Sequence, residues 1–258
     1  LHIEGPFLNA ARRGVHDADK IRPLSREILD GLSPLPNGCT LLTVAPETME
    51  PAVIAELVNK GFIVSCGHSD ATQKQVKSAL QAGMRGFTHL YNAMSQLMPR
   101  EPGVVGQALA DDVSWCGIIA DGHHVAAESL EIAWRCKGAG KLMLVTDAMP
   151  PVGGAESSFQ LLGNPVSVRN GVCIDAHGTL AGAALDMASA VRNMTQWTSC
   201  SFADACTMAS TTPAAFRGID DQRGSIEAGQ VADLVIRRKD RRVRSALIAG
   251  QTPDSSWN

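Results

Sequence analysis

One strand–helix–strand stretch constrains the fold of this chain more than any other feature. Two short apolar runs, Phe62–Cys66 and Met84–Thr88, flank the segment Thr72–Ala82, whose apolar residues recur at helical spacing. Strand, helix and strand over about 30 residues make a βαβ unit, and its crossover leaves the two strands parallel. The runs are followed by His68 and His89, so both histidines are expected at the same edge of a parallel sheet.

That edge, at the carboxyl ends of the strands, is where α/β barrels build their active sites. A single histidine at a strand end is more often only a hydrogen-bonding residue. Two histidines at equivalent ends of consecutive units, His68 and His89, favour a metal site instead, because metal sites draw imidazoles from different strands.

The same pattern recurs along the chain and predicts an α/β fold, a (β/α)8 TIM-type barrel. Six strands are expected at 1–8, 40–45, 62–66, 84–88, 115–120 and 141–146. Their ends carry Glu4, Glu47, His68, His89, His124 and Asp147. A doubly wound open sheet also alternates strands and helices, but it usually shows a glycine-rich first turn. Because a barrel needs eight strands and the sequence starts at Leu1, we expect two strands and the true N-terminus to be missing.

The remaining segments are assigned from turn signals. Residues 1–223 are predicted to be the barrel, and 224–258 a small β appendix of short strands with tight glycine turns. A β-hairpin is expected as an insertion at about 159–175, with Gly163-Asn164 and Asn170-Gly171 as turn signals. Residues 95–106 are predicted to be a loop.

Composition gives no sign of a nucleic-acid or membrane partner and favours a reducing setting. The net charge is −3, so no basic field points to nucleic acid or to an anionic membrane. The seven cysteines include no C-x-x-C pair, which favours a reducing, cytoplasmic setting. The sequence contains no apolar run near the roughly 18 residues of a spanning helix.

Seven short motifs occur in a defined order. They are HIEGPF at 2–7, APE at 45–47, GHS at 67–69, THLYNAM at 88–94, REPG at 100–103, DGHH at 121–124 and VTDA at 145–148. Together they resemble the N-acetylglucosamine-6-phosphate deacetylase family of the amidohydrolase superfamily. The segment 224–234 resembles the superfamily's returning β-sandwich, which implies that 224–258 is the C-terminal part of a small β-sandwich domain. The resemblance implies hydrolysis of the acetamide of N-acetylglucosamine 6-phosphate, yielding glucosamine 6-phosphate and acetate in amino-sugar catabolism.

The resemblance also implies a metal held by Glu4, His68 and His89. One carboxylate and two imidazoles with an open position match the pattern of a catalytic zinc site, in agreement with the strand-end argument. Zn²⁺ is therefore expected, at one or two ions per subunit. Oxygen and nitrogen ligands also accept Fe²⁺ or Mn²⁺.

Two further residues are implied to be catalytic. Asp147 resembles the family's acid/base aspartate, which takes a proton from water and delivers it to the leaving nitrogen. The alternative for Asp147 is a helix N-cap after its strand. His124 resembles the histidine that contacts substrate and polarises the acetamide carbonyl.

Substrate contacts are implied for residues in several loops. They are Val15, His16, Asn92, Ala93, Arg100, His124, Leu180 and Ala181. Arg100 resembles the family's phosphate-binding arginine, suited to a bidentate contact. Because this arginine can act across a subunit interface in relatives, a homodimer is implied.

Two alternatives remain open. One is another amidohydrolase, such as an N-acyl-amino-acid deacylase or a dihydroorotase-like enzyme. A dihydroorotase-like site uses a carboxylated lysine, and no lysine ends a predicted strand. The other is an inactive fragment of the deacetylase.

Overall fold

The computed structural model describes residues 1–154, 156–169 and 171–253. Asn170 of the predicted turn, and residues 254–258 of the predicted sandwich segment, lie outside the described residues.

Six short strands form one parallel sheet in sequence order. They are β1 (His2–Glu4), β2 (Thr40–Val44), β3 (Phe62–Cys66), β4 (Gly86–Phe87), β5 (Trp115–Ile119) and β6 (Leu142–Val145). β2 and β3 pair over their whole length, with Thr40 opposite Phe62 and Val44 opposite Cys66. This confirms the predicted α/β fold, with six parallel strands of a partial (β/α)8 barrel.

Helices connect the strands and cover the sheet. They are α1 (Arg26–Gly31), α2 (Pro51–Asn59), α3 (Gln73–Gln81), α4 (Gly103–Ala110), α5 (Ala127–Lys141), α6 (Met187–Trp197), α7 (Phe202–Ala209) and α8 (Thr211–Arg217). In α3, Thr72 and Gln75 form a reciprocal capping box, which fixes the start of the helix. None of the helices in the described part of the chain is long and apolar enough to cross a membrane.

The prediction of a loop over 95–106 is wrong at its C-terminal end, because α4 begins at Gly103. Two glycines in GVVGQALA lower the helix propensity, which hides the helix from sequence patterns. Tertiary packing outweighs the low helix propensity, because the first turn of α4 is buried at Gly103, Val104, Val105 and Gly106. A Cβ atom at Gly106 would lie only 2.7 Å from Leu97 Cδ1, so the chain needs glycine there for close approach.

The inserted sheet is larger than the predicted hairpin. Four antiparallel strands form it, in the order β10-β9-β8-β7. They are β7 (Ser158–Leu161), β8 (Asn164–Arg169), β9 (Val172–Asp175) and β10 (Leu180–Ala183). The small residues of LAGA show no alternation of apolar and polar side chains, so the sequence does not predict β10 as a strand.

The segment from 224 contains one further sheet among the described residues. β11 (Leu234–Arg237) and β12 (Val243–Leu247) pair as an antiparallel hairpin. Val235, 62% exposed, shows that this pair covers little core of its own.

Residues on alternate positions of the parallel strands face the barrel interior. A cavity of about 380 Å³ opens there, lined among others by His2 and Glu4 of β1 and by Ile63 and Ser65 of β3. Phe216 of α8 also lines it, so α8 closes part of the interior.

We predict that Gly86→Ala destabilises the protein. A Cβ atom there would overlap Ser65 Oγ and lie 2.8 Å from the Phe216 ring, and overpacking of this kind costs about 1–3 kcal/mol. Thermal unfolding should show a Tm several degrees lower, at about 2–4 °C per kcal/mol. Gly140→Ala is the matched control, because nothing lies within 4 Å of a Cβ atom there. Equal Tm values for the two variants would contradict the packing of α8 against β4.

Candidate metal and substrate site

Three of the predicted strand-end residues have strained backbones. His68, His89 and Asp147 have φ angles of 49°, 35° and 50°, in the left-handed region that non-glycine residues rarely adopt. Each such residue costs on the order of 1 kcal/mol or more and persists only where the surroundings impose it. All three residues follow strands of the parallel sheet at its carboxyl edge.

Glu4, His68 and His89 converge at that edge. Glu4 Oε1 lies 2.9 Å from His89 Nε2 and 3.2 Å from His68 Nε2. The two imidazole nitrogens are 3.1 Å apart. The residues come from the ends of β1, β3 and β4, so the parallel sheet brings together side chains that are up to 85 positions apart.

The second ring nitrogen of His68 is held by the backbone. His68 Nδ1 lies 2.8 Å from the carbonyl oxygen of Arg12, which can only accept a hydrogen bond. Nδ1 therefore carries a hydrogen, and Nε2 is the nitrogen that faces Glu4 and His89. The Arg12 side chain bonds Asp70 at 2.9 Å, which ties the loop after β1 to the loop after β3.

Burial and charge act in opposite directions in this cluster. Burial raises the pKa of Glu4, but hydrogen bonds from His68 and His89 outweigh it, so the pKa lies well below its ordinary value. For His89, burial lowers the pKa, but the hydrogen bond and the charge of Glu4 outweigh this and raise it. Glu4 is thus an ionised acceptor between two imidazoles.

The donor set fits a divalent metal. Two imidazole nitrogens and a carboxylate oxygen are ligands of Zn²⁺, and the carbonyl behind His68 is the usual outer partner of a ligating histidine. The cluster could therefore bind a metal. The assignment of Glu4, His68 and His89 as its ligands stays a prediction, and so does the choice of Zn²⁺.

His16 lies beside this cluster. Its ring packs edge-to-face on His68 with centroids 4.6 Å apart. A nitrogen of His16, one of His68 and an oxygen of Glu4 lie within 4.8 Å of one another, so His16 is a further candidate ligand. Burial lowers the pKa of His16, and the nearby charge of His68 lowers it further.

Most residues implied to bind substrate line one cavity of about 480 Å³ at the carboxyl edge. The predicted residues in its lining are Glu4, Val15, His16, His68, His89, Asn92, Ala93, His124, Asp147 and Leu180. Within the described residues, the carboxylate of Asp147 makes no hydrogen bond. It is therefore free to meet a ligand.

Three predicted residues lie elsewhere. Ala181 is fully buried against Val166 and Cys173 in the core of the inserted sheet, because side chains alternate along β10. Arg100 is exposed on the loop before α4 and does not line the cavity. Glu47 accepts hydrogen bonds from Asn9, Ser69 and Asp70 and so joins two loops beneath the site.

Sequence reasoning missed several residues at the site. Arg12 acts through its backbone carbonyl, for which the sequence carries no signal. Met149 and Thr179, which flank the inserted sheet, also line the cavity. Asp121 was not assigned a role either, although its spacing to His124 in the DGHH motif places both residues in one turn.

A partial parallel barrel with a carboxylate and imidazoles at its carboxyl edge is typical of barrel hydrolases that use a metal. A family model described as "Amidohydrolase family" matches residues 1–253. The chain belongs to the amidohydrolase family.

Three similar proteins narrow the comparison. The N-acetylgalactosamine-6-phosphate deacetylase of Shewanella sp. (strain ANA-3) is 46% identical over 253 residues, which cover 97% of this chain and 64% of that protein. A crystal structure of N-acetylglucosamine-6-phosphate deacetylase from Pasteurella multocida matches with a TM-score of 0.90 and 37% identity, covering 97% of this chain and 66% of that one.

The third is a mutant N-acetyl-D-glucosamine-6-phosphate deacetylase from Mycobacterium smegmatis, solved in complex with N-acetyl-D-glucosamine-6-phosphate. It matches with a TM-score of 0.87 and 30% identity, covering 97% of this chain and 67% of that one. The resemblance to hexosamine-6-phosphate deacetylases is thereby confirmed. The chain spans 64% of the length of the Shewanella relative.

We predict that His68→Ala and His89→Ala each bind much less metal, because each removes one of three converging donors. Elemental analysis of the purified variants measures this. His123→Ala is the matched control, since His123 is exposed and outside the cavity lining. Near-stoichiometric metal in His68→Ala or His89→Ala would disprove the ligand assignment.

Proposed function

We propose that this chain hydrolyses the acetamide of N-acetylhexosamine 6-phosphates, releasing acetate and the free amino sugar 6-phosphate. The observation that carries the proposal is the single cavity in which Glu4, His68 and His89 converge beside Asp147 and His124. The similarity of the chain to deacetylases of these sugars supports the same substrate class.

Different residues around the cavity are proposed to bind the metal, to transfer the proton and to polarise the carbonyl. A metal bound by Glu4, His68 and His89 would supply Lewis-acid polarisation. Asp147 is a carboxylate on a strained turn that can accept a proton from water and return it to the leaving nitrogen. His124 faces the same space and can polarise the acetamide carbonyl as negative charge develops on its oxygen.

The sugar end is proposed to lie toward the loop after β4. Ala93 lines the cavity there, and Asn92 lines it too, with its amide nitrogen donating to the backbone oxygens of His89 and Leu90 at 3.3 Å each. Arg100 follows on the same loop and is the proposed phosphate contact. Its exposure leaves it available to a substrate held between two subunits, in keeping with the predicted homodimer.

Two epimeric sugar phosphates are candidate substrates. The relative with 46% identity is named for N-acetylgalactosamine 6-phosphate, whereas the Pasteurella structure at 37% is named for N-acetylglucosamine 6-phosphate. We therefore expect both sugars to be hydrolysed, and the ratio of their kcat/KM values measures the preference.

Asp147→Asn should lower kcat by about 10²–10⁴-fold while metal and substrate binding are retained, because the amide keeps the shape but cannot accept a proton. Acetate release from both sugar phosphates measures this. An N-acyl amino acid serves as a comparison substrate for the other amidohydrolase class. If the wild type hydrolyses the amino acid derivative faster than either sugar phosphate, the proposed function is wrong.

Arg100→Ala should raise KM for the phosphorylated sugars by about 10–100-fold, since a lost charge-assisted contact costs about 1.5–3 kcal/mol. Arg135→Ala, which removes an exposed arginine paired with Glu131 on α5, is the control. An unchanged preference for the 6-phosphate over the unphosphorylated sugar in Arg100→Ala would exclude this role.

A further inference from the structure

Asp121 and His124 form a second carboxylate–imidazole pair after β5. Asp121 Oδ2 lies 2.6 Å from His124 Nδ1. Both side chains are nearly buried, at 7% and 6% exposed. His124 lines the cavity at the carboxyl edge, whereas Asp121 does not. Asp121 therefore does not contact the cavity itself, and its side chain is linked to the cavity by the bond to His124.

The other carboxylate oxygen of Asp121 is bound to the backbone. Oδ1 accepts hydrogen bonds from the N–H groups of His123 and His124, each at 2.8 Å. Burial raises the pKa of Asp121, but the hydrogen bonds from the His124 side chain and from these N–H groups outweigh it and hold the pKa below its ordinary value. Asp121 is thus an ionised carboxylate in a fixed orientation.

This arrangement determines where the hydrogen of a neutral His124 lies. An ionised carboxylate only accepts hydrogen bonds, so Nδ1 must carry the hydrogen. Nε2 is then the nitrogen left for a ligand, and no group among the described residues hydrogen-bonds to it.

We propose that Asp121 is a positioning residue that keeps the hydrogen of neutral His124 on Nδ1 and directs Nε2 at the acetamide, so that Nε2 can take up a proton from water and then donate a hydrogen bond to the acetamide oxygen. The role rests on the proposed deacetylation. A carboxylate that never touches substrate orients the catalytic imidazole of other hydrolases in the same way, and its removal leaves the imidazole in the wrong tautomer.

Asp121→Asn tests this directly. The two backbone N–H groups keep the amide oxygen in the place of Oδ1, so the NH₂ group faces His124 Nδ1. Because NH₂ only donates, the ring hydrogen must move to Nε2, and Nδ1 loses the carboxylate that stabilises the protonated ring. We expect kcat to fall by about 10²-fold or more, with KM, metal content and Tm close to wild type.

Asp111→Asn is the matched control. Asp111 Oδ2 accepts the N–H of Ser114 at 2.9 Å in a similar turn at the opposite end of β5. This variant should leave kcat unchanged. An equal fall in kcat for the two variants would show that Asp121 acts only as a turn residue.

The double variant shows whether the effect passes through His124. If it does, Asp121→Asn should cause no further loss of kcat in a His124→Ala background. Losses that multiply in the double variant would overturn the proposal.

Nitrogen NMR of the histidine side chains reads the tautomer without any assay, with the His124 signal assigned by its loss in His124→Ala. We expect Nδ1–H in the wild type and Nε2–H in Asp121→Asn. An unchanged tautomer overturns the proposal even if kcat falls. A wild type that releases no acetate from either sugar phosphate refutes the proposed function instead, while the NMR result still decides whether Asp121 sets the form of His124.

Discussion

One partly buried, ionised carboxylate, Glu4, governs the arrangement of the site. A charge that has lost much of its water is costly unless it is paired, so Glu4 lies where positive or hydrogen-donating groups meet it. Those groups are His68 and His89, which reach it from β3 and β4. The positive φ angles of both histidines are the backbone cost of this meeting. A site that stores strain in this way depends on the rigid sheet beneath it.

Much of the fold follows from patterns within the sequence. The strand Phe62–Cys66 has the predicted bounds, and the helix Gln73–Gln81 fills the segment Thr72–Ala82 that its spacing predicted, with Thr72 and Ala82 as its caps. α4 and β10 were not predicted, since glycine and alanine carry little periodic signal and only tertiary packing makes those segments regular. Sequence patterns are therefore weakest where small residues allow close backbone approach.

Some residues of the site could likewise be predicted from sequence patterns, and others could not. Strand-end histidines and acids could be found from sequence, because parallel strands present their carboxyl ends at one edge. The roles of Arg12 and Ala181 could not. Arg12 acts through a carbonyl oxygen that every residue possesses. Ala181 alternates with Leu180 along β10, so a one-residue step separates lining the cavity from burial beneath it.

Two carboxylate–imidazole units at one edge of the sheet have different geometries. Glu4 meets the Nε2 atoms of two histidines, and the same atoms are available to a metal. Asp121 meets Nδ1 of His124 and leaves Nε2 for a ligand. The nitrogen that faces the carboxylate therefore differs between the two units. In the proposed deacetylation both units act within one cavity, where His124 would polarise the carbonyl and Asp147 would handle the proton.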